Sequence, residues 1–248
     1  MIDSHAHILS EYYEDISSFI EELKDKDIER VVNCADSIQT SKEVLELYRK
    51  YDGYLVPAIG IHPENADLKE NKVEYLEEIL KNNKVVAIGE IGLDYNFNDE
   101  NKDEQKELFN RQLDLAEKYN LPVIVHTRDS IQDCFDILKK RKLKGVIHCY
   151  NGSIEMAREF IKLGYKLGIG GVLTFKNAKL YEVVEQLDMK DILLETDSPF
   201  LSPEPYRGRK NKPSNVFYVA KKIAEVKKIP LKEVMEITTK NSKDLFDI

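Results

Sequence analysis

Short runs of β-branched and apolar residues recur eight times along the chain, and a longer amphipathic stretch follows each one. The runs are 1–7 (MIDSHAH), 30–35 (RVVNCA), 54–61 (YLVPAIGI), 85–92 (VVAIGEIG), 122–126 (PVIVH), 144–149 (KGVIHC), 166–173 (KLGIGGVL) and 191–197 (DILLETD). Strict β/α alternation dictates a parallel sheet with right-handed crossovers. Eight such units in 248 residues predict an α/β fold of the closed (β/α)8 TIM-barrel type rather than an open sheet. The clearest helix is expected over 103–119, where Phe109, Leu113 and Ala116 fall on one face. Ser214 is expected to cap a helix carrying Val216, Val219, Ala220 and Ile223, with a last helix over 230–246. No Gly/Ser/Pro-rich linker divides the chain, so residues 1–248 are read as a single domain.

Composition narrows the function classes. With 42% hydrophobic and 33% charged residues the chain is globular. A domain of this length buries about 70–75% of its unfolded surface, so it needs no disulfide or metal staple to fold. No apolar run approaches the roughly 20 residues of a membrane span. Asp3, His5 and His7 in the first seven residues exclude a secretory leader, so the expected location is the cytoplasm. Cys34, Cys134 and Cys149 form an odd set without a pairing pattern, which suits a reducing compartment, and all three read as packing residues. Net charge is −8, a field that on average repels phosphate. A polyanionic substrate would therefore need a local cationic patch or bound metal.

All five histidines fall at or just past the C-terminal end of a predicted strand: His5, His7, His62, His126 and His148. In (β/α)8 barrels that rim builds the active site. Side chains at i and i+2 share a strand face, so His5 and His7 point together into the barrel mouth and can share one Zn²⁺-like ion. Glu90 lies in the apolar stretch Ala87–Asp94, where an unpaired carboxylate would cost several kcal/mol. A metal-bridging carboxylate resolves that cost. Asp197 ends the eighth run, and Glu195 shares its parity one layer deeper, as a supporting carboxylate. His126 and His148 end neighbouring strands and can meet at one ion. Cys149, of opposite parity to His148, is expected to face the helices.

Two ligand groups follow: His5, His7, Glu90 and Asp197 for one cation, and Glu90, His126 and His148 for a second. Two cations about 3.5–4 Å apart would hold a bridging hydroxide and the oxygens of an in-line displacement. Asp197 and Glu90 are thus the candidate catalytic carboxylates, with Asp197 taking the nucleophile's proton. The ions could be Zn²⁺, Mn²⁺ or Mg²⁺, and imidazole-rich ligation favours the first two. His62 is expected to contact a substrate phosphate. Arg128 shares the parity of His126 one step further out, where a guanidinium can grip phosphate bidentately. Arg207 belongs to the loop Tyr206–Lys212, four cations in seven residues, read as a local phosphate-gripping patch.

The stretches Asp3-Ser4-His5-Ala6-His7, Gly60-Ile61-His62-Pro63, Gly89-Glu90-Ile91-Gly92-Leu93-Asp94-Tyr95, His126-Thr127-Arg128-Asp129, Gly145-Val146-Ile147-His148-Cys149-Tyr150 and Glu195-Thr196-Asp197-Ser198-Pro199 occur in that order. Arg207-Gly208 and Asn211-Lys212-Pro213 follow. On these motifs the chain resembles, over essentially its full length, the TatD-type metal-dependent deoxyribonucleases of the amidohydrolase-like superfamily. The resemblance implies a divalent-metal phosphodiesterase acting on DNA, from a 3′ end or on single strands, with no membrane or obligatory protein partner. It places metal ligands at the same six positions. It departs at Lys212, where the family usually carries an acidic residue before the proline. The alternative is a metal-dependent amidohydrolase or esterase acting on a small substrate or on aminoacyl-tRNA. The lysine-bridged amidohydrolase branch is disfavoured because Glu90 stands where that lysine would be.

Overall fold

A computed structural model of the chain describes residues 1–66, 72–97 and 100–248. Eight strands, β1 (Ile2–Ala6), β2 (Arg30–Cys34), β3 (Leu55–Ile59), β4 (Ala87–Asp94), β5 (Val123–Arg128), β6 (Gly145–Ile147), β7 (Tyr165–Ile169) and β8 (Ile192–Leu194), pair in parallel and in chain order. The segment after β8 closes the ring. Ala6 bridges Ser198, and the His7 N–H donates to the Ser198 carbonyl at 2.7 Å. The architecture is the predicted TIM barrel.

The connecting helices are α1 (Ile16–Asp25), α2 (Ile38–Lys50), α3 (Val73–Asn82), α4 (Lys102–Tyr119), α5 (Ile131–Leu138), α6 (Ile154–Lys162) and α7 (Leu180–Gln186). Two more, α8 (Val216–Lys227) and α9 (Leu231–Phe246), follow β8. Phe109, Leu113 and Ala116 of α4 are buried, as their spacing requires. Ser214 does not cap α8. Pro213, with its fixed φ, starts a tight 3-10 turn at Pro213–Asn215, which draws Ser214 into the turn and moves the helix start to Val216.

Strand parity divides the core in two. Val31, Leu55, Ile88, Val123 and Ile147 pack outward against the helices, whereas Val32, Cys34, Val56, Ile124, Val146 and Leu193 fill the barrel. Leu245 and Phe246 at the end of α9 join the inner cluster. On β5, β6 and β8 positions continuing the inward parity emerge at the barrel's C-terminal mouth, whereas on β4 the register shift between Ile88 and Ile91 turns Glu90 and Asp94 inward although Ile88 packs outward.

Candidate metal centre

The mouth opens into a cavity of about 550 Å³ lined by His7, His62, Glu90, Asp94, His126, Arg128, His148 and Asp197, among others. A larger cleft of about 990 Å³ beside α2 and α3 has no histidine or cysteine among its described lining residues. The ligand chemistry is concentrated at the barrel mouth.

Glu90 is only 3% exposed, and its two oxygens face different imidazoles. Oε2 lies 3.3 Å from His5 Nε2 and 3.4 Å from His7 Nε2. Oε1 lies 2.7 Å from both His126 Nδ1 and His148 Nε2. Asp197 Oδ1 completes the first group at 3.5 Å from His5 and 3.6 Å from His7. The structure brings all six residues expected to be ligands to one mouth, where the groups close enough to share an ion are His5/His7/Asp197, His5/Glu90/His148 and His62/Glu90/His126, so His148 sits with His5 as well as with His126. His62 joins them, its Nε2 3.5 Å from Glu90 Oε1.

Outward contacts leave the inward nitrogens free to ligate. His7 Nδ1 lies 3.0 Å from the Cys34 carbonyl, which can only accept, so this nitrogen keeps a proton and Nε2 is the one turned to the centre, where a cation would displace its proton. His126 Nε2 likewise donates to Asp94 Oδ2 at 3.0 Å, leaving Nδ1 toward Glu90. His5 Nδ1 lies 3.3 Å from Cys34 Sγ, and His148 Nδ1 faces Glu195 Oε1 at 3.6 Å. Glu195 is fully buried behind His148, where its Oε1 accepts the Cys149 N–H at 2.6 Å. Gly168 makes this possible, because a Cβ there would collide with the Glu195 carboxylate.

The donor set fits divalent cations. Every ion pair of Glu90 among the described residues is with an imidazole, and none is with Lys or Arg. Burial pushes the Glu90 carboxyl up, but the surrounding imidazoles, His148 and His5 foremost, outweigh it and hold it well below the usual range. Burial likewise lowers His7, yet Asp197 and Glu90 draw a proton onto it and push it up to about 10. In the metal-free protein, protons supply the positive charge that this cluster demands. A bound cation would replace them.

Asp94 has a role that sequence reasoning missed, although it shares the parity of Glu90 on β4. It is buried, orients His126, and caps the turn after β4 by accepting the Asn96 and Phe97 N–H groups at 3.0 and 2.9 Å. Helix α4 fixes the same region. Gln105 bonds both backbone groups of Asp94, and Gln112, seven residues on, does the same for Ile61 beside His62. Asp94→Ala should weaken metal binding about 10–100-fold and, because the Asn96 and Phe97 N–H groups lose their acceptor, lower the melting temperature by several degrees, as read by metal titration and thermal unfolding. Undiminished affinity would exclude the orienting role.

Cys149 corrects an expectation: it lines the cavity instead of facing the helices. Strand β6 stops at Ile147 and Cys149 has φ +47°, so the two-residue alternation no longer applies there. Arg128 lines the cavity and is 4.0 Å from Asp94 Oδ2. Arg207 is exposed outside the described cavity lining, with its guanidinium 3.8 Å over the Phe175 ring. Its loop neighbours are also engaged, Lys210 over Tyr13 and Lys212 with Glu22. The loop's buried residue, Asn211, ties Thr196 and Phe200 together by donating to both carbonyls.

Comparison with known proteins identifies the family. A family model described as TatD related DNase matches residues 2–247. The uncharacterized metal-dependent hydrolase YabD of Bacillus subtilis (strain 168) is 43% identical over 254 residues, covering 100% of this chain and 99% of its own. An uncharacterized metal-dependent hydrolase of Methanocaldococcus jannaschii is 36% identical, covering 99% of this chain and 96% of its own. The crystal structure of YJJV, a TatD homolog from Escherichia coli K12, superposes with a TM-score of 0.92 at 30% identity, covering 100% of this chain and 98% of that one. The chain belongs to the TatD family of metal-dependent hydrolases.

Proposed function

We propose that this hydrolase cleaves phosphodiester bonds of DNA, working from a 3′ end, with two divalent ions held by His5, His7, Glu90, His126, His148 and Asp197. The observation that carries the reading is the division of Glu90: one oxygen serves the His5/His7 group and the other the His126/His148 group. A carboxylate placed so that two ligand groups could share it suits a two-ion phosphodiesterase. A divalent pair supplies Lewis acidity when bound, lowering the pKa of a coordinated water to about 7 and offsetting charge on the phosphoryl oxygens.

The chain's own groups do the rest. Burial raises the Asp197 carboxyl, but His7 and the other imidazoles overcome this and hold it below its ordinary range. It is therefore ionised at neutral pH and can accept the proton of the attacking water. His62, at the edge of the Glu90 cluster, and Arg128, on the exposed side of the cavity, would hold the phosphate from two sides. Arg207 would meet the strand farther from the cut. Three free cysteines support the cytoplasm as the compartment.

Arg128→Ala should raise KM for a short oligonucleotide about 10–100-fold and change kcat far less, because one charge-assisted phosphate contact is lost. A fall in kcat with KM unchanged would give Arg128 a different role. The function itself is tested by degradation of single-stranded DNA under chelation and metal add-back, alongside an aryl ester and a cyclic amide. Metal-restored loss of 3′ nucleotides is the expected result. Turnover of the ester or amide with intact DNA would overturn the reading.

A further inference from the structure

Of the large apolar side chains left exposed among the described residues, Phe200 alone lines the metal-site cavity, with 49% of its surface open. Its backbone is hydrogen-bonded on both sides. The Phe200 N–H donates to the Asp197 carbonyl at 2.8 Å, and the Phe200 carbonyl accepts from Asn211 Nδ2 at 2.7 Å. Asn211 is fully buried and spans to the Thr196 carbonyl, so the Phe200 backbone is tied to the strand end that presents Asp197. Tyr12 braces it in a T-shaped contact with centroids 5.7 Å apart, and His7 meets it similarly at 6.2 Å. Neither neighbour stacks on the ring. About half of the phenyl surface is left for a third planar group.

Charge is laid out to match. Contacts link this aromatic wall through His7, Glu90, His126 and Asp94 to Arg128, whose side chain is 57% exposed. A nucleotide whose phosphate is held by Arg128 and the cations of the centre has the planar π-face of its base to place, and the aromatic wall offers the complementary surface. We propose that Phe200, braced by Tyr12, is the stacking platform for the terminal base of the DNA strand. This inference rests on the nuclease reading above. Because every base has a π-face, the platform favours a base over its absence without selecting its identity.

The test compares the metal-loaded protein on two single-stranded oligonucleotides differing only in whether the 3′-terminal nucleotide carries a base or is abasic. The wild type should prefer the base-bearing strand about 10–100-fold in KM. Phe200→Ala should bring that ratio close to one, whereas Phe200→Trp, which keeps a planar face, should preserve it. An unchanged preference in Phe200→Ala, or equal KM values in the wild type, would overturn the platform and leave the nuclease reading standing. Failure of the metal-loaded wild type to cleave either strand would overturn both.

Discussion

Replacing Glu90 by glutamine should remove at least one bound cation and lower kcat/KM by about a thousandfold or more. The glutamine keeps the shape but turns one of the two oxygens into an NH₂ donor. A donor cannot ligate a cation, so either the His5/His7 side or the His126/His148 side loses its shared oxygen, and the cluster loses a negative charge. Lewis-acid stabilisation of the transition state is worth several kcal/mol, and about 1.4 kcal/mol corresponds to each tenfold in rate. Metal analysis and steady-state kinetics measure the two losses, with circular dichroism confirming that the barrel persists. A Glu90→Gln protein with its full metal content and turnover would show that the carboxylate is not shared.

Gly92→Ala should lower the melting temperature by about 6–20 °C and empty the His126 side of the centre. Gly92 has φ +146°, and it pairs with His126 in the β4–β5 ladder. A Cβ there would run into the His126 carbonyl oxygen. Dihedral strain and backbone crowding together cost about 3–5 kcal/mol, and each kcal/mol moves the midpoint of a chain this size about 2–4 °C. Gly208 is the control. Its φ is +78°, but a Cβ there meets nothing within 4 Å, so Gly208→Ala should cost only about 1–2 kcal/mol. Equal melting of the two variants would remove crowding at His126 from the explanation.

These effects trace to features that differ in how visible they are in the sequence. Alternation of β-branched runs with amphipathic stretches exposes the barrel, because buried parallel strands and half-buried helices obey different periods. Parity then carries Ile124, His126 and Arg128 up one inner face of the barrel and turns His5 and His7 the same way. The rule holds only while the chain stays extended. It fails at Cys149, just past β6, where a left-handed residue turns the thiol into the cavity. Asp94 was within its reach, yet only the structure shows its contact with His126 Nε2.

Long-range partners are the part that local pattern cannot supply. The cations of the Tyr206–Lys212 loop look like a free patch until Phe175, Tyr13 and Glu22 are placed beside Arg207, Lys210 and Lys212. Asn211 belongs to the Asn211-Lys212-Pro213 motif, but its burial and its bond to the turn carrying Phe200 appear only in the structure. The paired clamps of Gln105 and Gln112 needed α4 to be seated against β4 and the end of β3. No residue-level propensity contains that information.

Anomalous diffraction from crystals grown with excess Mn²⁺ would address the shared role of Glu90 most directly. Two peaks per chain are expected, one on the His5/His7/Asp197 side of the carboxylate and one on the His126/His148 side. A single peak, or ions bound away from Glu90, would contradict the two-ion centre and the phosphodiester chemistry built on it.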